Sequence, residues 1–172
     1  MSKGKAAARI SDPVAHPLPP VLTGGPGSLN VLIGKLPAWR GVPAGAVSAL
    51  QSAKKISDTV IQTVEAASKA AAGTPGAPAA IASEQSAKLS SAATMSSMIS
   101  SAAASAAPSI ADIHVCATPL PIPPHGPGVV IDGSKTVLIN GLPACRMGDT
   151  ILEALGPSNK ITKGELTVLI GN

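Results

Sequence analysis

Gly27-Ser-Leu-Asn-Val-Leu-Ile-Gly-Lys-Leu-Pro-Ala-Trp-Arg40 aligns without a gap on Gly133-Ser-Lys-Thr-Val-Leu-Ile-Asn-Gly-Leu-Pro-Ala-Cys-Arg146. The two stretches share Gly-Ser, Val-Leu-Ile, Leu-Pro-Ala and the final Arg, so the chain contains an internal repeat. A third, shorter copy follows as Gly164-Glu-Leu-Thr-Val-Leu-Ile-Gly-Asn172, with the Gly and the Val-Leu-Ile in register. Each copy reads as β structure. Its aliphatic run is bounded by Gly-Ser or Asn-Gly turn signals and stops at Leu-Pro-Ala, where Pro has no N–H to give to a ladder. Asn140-Gly141 suits a tight hairpin turn, because both residues accept positive φ. Three short β units that cannot each bury a face alone are expected to stack about a common axis. The expected fold class is therefore mainly β: a compact pseudo-threefold cone of three short β repeats, with an inserted Ala/Ser-rich helical hairpin. A small β-barrel with two coincidentally similar hairpins is the alternative.

The copies begin at residues 27, 133 and 164, so the first interval is far longer than the second. Removing residues 42–111 makes the two intervals comparable. Arg9-Ile-Ser-Asp12 and Arg146-Met-Gly-Asp149 are both Arg-x-x-Asp, and the equivalent pair before the second copy is Arg40 and Asp112. The insert therefore falls inside a turn. The expected organisation is a β domain in two parts, residues 1–41 and 112–172, interrupted by the segment 42–111. That segment is rich in Ala and Ser and breaks at Gly73-Thr-Pro-Gly-Ala-Pro78, which predicts two helices and a turn. Leu50, Ala53, Ser57, Val60, Val64, Ala67 and Ala71 mark one seam, and Ala92, Met95, Ile99, Ala102 and Ala106 the other. Small seam residues allow the helices to approach closely. Leu89 to Ala111 is uncharged and long enough to span a bilayer, but its many Ser hydroxyls would need partners in lipid. A soluble or partly disordered arm, a docking device for a partner and a membrane segment are the three readings of this insert.

Composition narrows the function. Of 172 residues, 17 are Gly and 17 Pro, and the chain has no Phe, no Tyr and one Trp. Base-stacking platforms for nucleic acid need aromatic rings and are excluded. The net charge of +4 is spread along the chain and does not form a DNA-binding stripe. A chain so poor in aromatics needs branched aliphatics, close backbone packing or a staple for stability, and a metal is the first staple to seek. The first residues run into Ser11, Asp12 and Pro13 with no apolar stretch, so no secretory signal is visible and cytoplasmic synthesis is expected. No Gly-x-Ser-x-Gly, phosphate loop or His-Glu-x-x-His is present, and the chain is not expected to be an enzyme. Asp12, Asp112 and Asp149 recur beside turns, which suits backbone capping.

The candidate metal ligands are His16, His114, Cys116 and His125, all in the segments preceding the first two copies. His114 and Cys116 share one face of an extended strand, because alternate residues do so, and His125 follows beyond a Pro-rich turn. Four N/S donors without a carboxylate form the tetrahedral set that Zn²⁺ takes in closed structural sites, which leave no open position for catalysis. The bland alternative treats the histidines as turn residues and Cys116 as a buried thiol. A zinc hydrolase would require an open metal position and a nearby base. Cys145 stands where the first copy has Trp39 and is read as a packing residue.

Leu142-Pro-Ala-Cys-Arg146-Met-Gly-Asp149 resembles the Pro-Ala-Ala-Arg signature of PAAR-repeat proteins, the cone-shaped tips of type VI secretion spikes, and Leu36-Pro-Ala-Trp-Arg40 resembles a second copy. Ala7-Ala-Arg-Ile-Ser-Asp-Pro-Val-Ala-His16 is similar to an element that precedes PAAR domains in some effectors and supplies a zinc ligand. The resemblance covers residues 7–41 and 112–172. It departs from the family where Trp39 and Cys145 replace the middle Ala, and in the long insert. It implies zinc held by His16, His114, Cys116 and His125. It also implies a piercing tip that caps the trimeric valine-glycine-repeat spike (VgrG) of a contractile injection machine, with the insert recruiting cargo or a chaperone. Such a tip is exported with the apparatus and meets a membrane only transiently during puncture. Any delivered activity is expected to be a separate chain or absent. The alternative within the resemblance is a chaperone-bound, membrane-interacting N-terminal module of a secreted effector.

Overall fold

The residues before each Arg of the three Arg–Asp pairs, Ala8, Trp39 and Cys145, meet in a closed ring of backbone hydrogen bonds. This is seen in a computed structural model that describes residues 4–119 and 123–171. The Ala8 N–H donates to the Cys145 carbonyl at 2.9 Å, the Cys145 N–H to Trp39 at 3.0 Å, and the Trp39 N–H to Ala8 at 2.9 Å. No water reaches these groups, so each must find its partner in the chain. Their side chains pack with Val14, Leu22, Val130, Ile151 and Ile161 in one apolar cluster. Ala7, Ala38 and Ala144, one residue earlier, form a second cluster with Ile33, Ile139 and Ile170 from the three Val-Leu-Ile runs. Cys145 is thus a packing residue, buried beside Trp39.

Strand β1 (Lys5–Ala7) pairs with β10 (Glu165–Ile170), β2 (Leu32–Ile33) with β3 (Leu36–Pro37), and β6 (Leu138–Ile139) with β7 (Leu142–Pro143). A larger antiparallel sheet has the order β4 (Ile113–Pro119), β5 (Pro124–Val130), β8 (Thr150–Glu153), β9 (Asn159–Lys160). Helices α1 (Ala44–Ala71) and α2 (Ala77–Ala104), each of 28 residues, supply about a third of the chain. The expectation of a mainly β, pseudo-threefold cone with a minor insert is therefore corrected: the fold is mixed α and β, and its sheets are not threefold equivalents. Pro37 and Pro143 end two hairpins after two residues per strand. The Val-Leu-Ile run of the third copy pairs with β1 instead. The four-stranded sheet is built mostly from residues outside the repeat, so repeat similarity carried no information about it.

The Arg–Asp pairs close turns. The Arg9 and Arg146 amides donate to the carboxylates three residues on, Asp12 at 2.7 Å and Asp149 at 2.8 Å. The Arg40 amide does the same to Asp112 at 2.8 Å, across 72 residues, and the Asp112 amide returns to the Arg40 carbonyl at 3.0 Å. Both ends of the helical hairpin are tied at this pair.

Local signals account for the helices. Pro43 precedes α1, Pro78 sits in the first turn of α2 where a missing N–H costs nothing, and Gly73 takes φ 78° in the link between them. Leu50, Met95, Ile99, Ala102 and Ala103 pack against Val129, Leu142, Leu152 and Ala154 of the β framework, which fastens the hairpin base to the sheet. Further out, the buried Lys88 of α2 bridges Glu65 of α1 and Glu84 of its own helix, both at 2.7 Å. Among the described residues no helix is long and apolar enough to cross a membrane.

Candidate metal centre

The four-stranded sheet places donors by register. His114 and Cys116 lie two apart on β4 and are buried. His114 stands opposite Gly128 of β5, and Gly128 stands opposite Glu153 of β8. Residues directly opposite share a face, so His114 and Glu153 flank a glycine. A Cβ on Gly128 would come within 2.9 Å of Ile151 Cγ2 and 3.0 Å of Glu153 Cγ, so the close approach requires Gly. His125 begins on the other face of β5 by strict alternation. Gly126, at φ 80°, breaks that alternation, and His125 reaches Glu153. His16 arrives from the Pro-rich loop after Val14. That loop is pinned to β9 where the Ala15 amide donates to the Lys160 carbonyl at 3.0 Å and to Asn159 Oδ1 at 3.1 Å.

The donors converge. His16 Nε2 and His114 Nε2 are 2.7 Å apart, His16 Nε2 is 3.3 Å from Glu153 Oε1, and His125 Nδ1 is 2.5 Å from Glu153 Oε2. Ligating atoms of His16, His114, Cys116 and Glu153 all lie within 4.8 Å of one another, and all four residues are buried. Of the residues singled out in the sequence, His16, His114 and Cys116 fall in this group, while His125 joins through Glu153, its ring centre 6.5 Å from that of His16. Glu153 also belongs to the cluster, beside the residues singled out in the sequence. Its signal was a lone acidic residue in the apolar run Ile151-Leu152-Glu153-Ala154-Leu155.

The electrostatics suit a cation. Burial, reinforced by His16, holds the His114 pKa at about 4 against an ordinary 6.5. Burial also lowers the His16 pKa, and it raises that of the Cys116 thiol. His16 and His114 are thus neutral near pH 7 and able to donate lone pairs, while a buried thiolate calls for a positive charge beside it. Three imidazoles, a thiol and a carboxylate are the donor types that bind a divalent N/S-preferring ion, so these residues fit a metal. In the metal-free chain, unfolding lets His114 take up a proton at higher pH than folding does. Stability is therefore expected to fall as pH drops from about 6.5 towards 4, by on the order of 3 kcal/mol at the end of that window. A denaturant series between about pH 7 and about pH 4 on chelated protein checks this.

Residues 120–172, from the β4–β5 connection to the end of the third copy, match the family model described as the PAAR motif. That stretch therefore carries the PAAR motif, a structural or adaptor type of module with a general association with type VI secretion. The match takes in His125 and Glu153; His16, His114, Cys116 and the first repeat copy precede it. Comparison with curated proteins and with solved structures gives no match.

Proposed function

We propose that this chain caps a trimeric VgrG-type spike as the metal-braced tip of a type VI secretion apparatus. The observation that carries the reading is the pattern of exposure in the three Val-Leu-Ile runs. Leu32, Leu138 and Leu169 are 62%, 57% and 61% exposed, whereas the next residues, Ile33, Ile139 and Ile170, are 7%, 8% and 6% exposed and share one cluster. Leu29, Leu166, Val137 and Val168 add to the uncovered apolar surface. Exposed apolar side chains at equivalent places suit an interface, and one residue type at the same place in three copies suits a partner made of three identical chains.

At the metal centre His16, His114, Cys116 and His125 hold one Zn²⁺, with Glu153 beside them. Zinc supplies closed coordination there and no open position for a substrate. These residues tie the loop carrying His16 to three strands of the sheet, which stiffens Pro/Gly-rich segments that have little apolar core of their own. The helical hairpin, with Ile56, Val60, Ile81 and Leu89 exposed along its length, is the element through which cargo or a chaperone engages. The tip leaves the cell with the apparatus.

Replacing Leu32, Leu138 and Leu169 together by Lys is expected to abolish co-purification with a spike trimer. Metal content and the unfolding midpoint should stay near wild type, because these side chains are already solvated. Undiminished binding of this variant would overturn the docking face.

A further inference from the structure

We infer that Glu153 is a positioning residue for the metal centre: its carboxylate fixes His125 with Nε2 free for the ion and cancels the charge of the loaded site. The inference rests on the metal reading above and adds a role to a residue outside the four proposed ligands.

Glu153 is completely buried, in a strand whose neighbours Leu152 and Ala154 belong to the apolar core. A carboxylate in such a place needs hydrogen bonds and an opposite charge. Among the described residues its partners are His125 Nδ1 at 2.5 Å, His16 Nε2 at 3.3 Å, Asn159 Nδ2 at 3.4 Å and the Cys116 thiol, with no Lys or Arg. The opposite charge is therefore to come from the metal. A divalent ion bound to one thiolate and three neutral imidazoles keeps one positive charge, and the Glu153 carboxylate balances it.

The bond to His125 adds direction. A neutral imidazole has one N–H, and an acceptor 2.5 Å from Nδ1 draws the proton to that nitrogen. Nε2 is left with its lone pair, ready to ligate, in the carboxylate–histidine–metal arrangement that orients ligands in many metalloproteins. Asn159 extends the support: its Nδ2 donates to Glu153, while its Oδ1 accepts the Ala15 amide next to His16. One carboxylate thus coordinates the placement of two histidines from different elements. Gly128 leaves the space that the carboxylate stem needs against β5.

The test uses the full-length protein loaded with zinc or with cobalt(II) as a spectroscopic probe. X-ray absorption of the wild-type zinc form should give three nitrogens and one sulfur around the ion. A carboxylate oxygen in that shell would make Glu153 a ligand and overturn its positioning role. Glu153→Gln keeps an acceptor for His125 but removes the charge, and Glu153→Ala removes both. Zinc affinity, by chelator competition, should fall about tenfold in the first and about a hundredfold in the second. The cobalt spectrum of Glu153→Gln should keep the wild-type thiolate and ligand-field bands. Unchanged affinity in both variants would overturn the inference while leaving the metal site intact. A folded wild-type protein that takes up no metal would instead overturn the underlying site. If neither variant folds, the wild-type absorption measurement alone decides between positioning residue and ligand.

Discussion

Stripping the metal with a chelator is expected to lower the unfolding midpoint of this protein by about 10–20 °C. The donors come from a Pro-rich loop and three strands: His16 before β4, His114 and Cys116 on β4, His125 on β5 and Glu153 on β8. Without an ion, two imidazole nitrogens face each other at 2.7 Å and a carboxylate stays buried with no full countercharge. Structural zinc contributes roughly 10–16 kcal/mol in small folds that are unfolded without it. Here three apolar clusters persist without metal, so a smaller effect, on the order of 5 kcal/mol, is expected. At roughly 2–4 °C per kcal/mol for a chain of this size, that gives the stated shift. Calorimetry with and without chelator measures it, and adding back zinc should restore the midpoint. His114→Ala and Cys116→Ala should behave as the stripped protein does and should not respond to zinc. An unaltered midpoint after complete metal removal would show that the site contributes nothing to the fold.

Asp112→Ala is the second large effect, with an expected loss of about 3–5 kcal/mol. Asp112 is fully buried and accepts from the Arg40 amide at 2.8 Å, from Arg40 Nε at 3.0 Å, from Nη2 at 2.9 Å and from the Gly27 amide at 3.0 Å. Removing it leaves a buried guanidinium whose remaining hydrogen bond is to the Gly27 carbonyl, at 3.0 Å. It also unties the two ends of the helical hairpin, which sit on either side of this pair. Asp12→Ala offers the internal comparison, because Arg9 keeps a second carboxylate, Glu165, at 2.6 Å. Its loss should be smaller, about 1–2 kcal/mol. Urea titrations of both variants give the ranking, and equal losses would contradict the role assigned to burial at Arg40.

Much of the framework was legible because it is repeated. The Ala-x-Arg segments, the Arg–Asp turns and the Val-Leu-Ile runs each recur, so one copy interprets the others, and Arg40 and Asp112 mark where the insert enters. The break at Gly73–Pro78 located the helical link for the same reason: Gly and Pro act locally. The fold class was misread because similarity among repeat copies says nothing of the segments between them, and those segments build β4, β5, β8 and β9. Helix faces were only partly legible. Leu50, Met95, Ile99 and Ala102 are buried as their spacing suggests, yet Val60 is exposed and Lys54 buried beside Asp58. In an Ala/Ser helix, small side chains on every face leave its rotation weakly specified. Glu153 was missed because a lone Glu in a strand has no spacing rule, and only its register opposite Gly128 and His114 reveals it.

The most direct test of a metal-braced cap on a trimeric spike is native mass spectrometry of the chain mixed with a VgrG-type trimer. The expected mass is that of three spike chains, one copy of this protein and one zinc ion. A spectrum showing only the free trimer and free chain, or one copy of this protein on every spike chain, would contradict it.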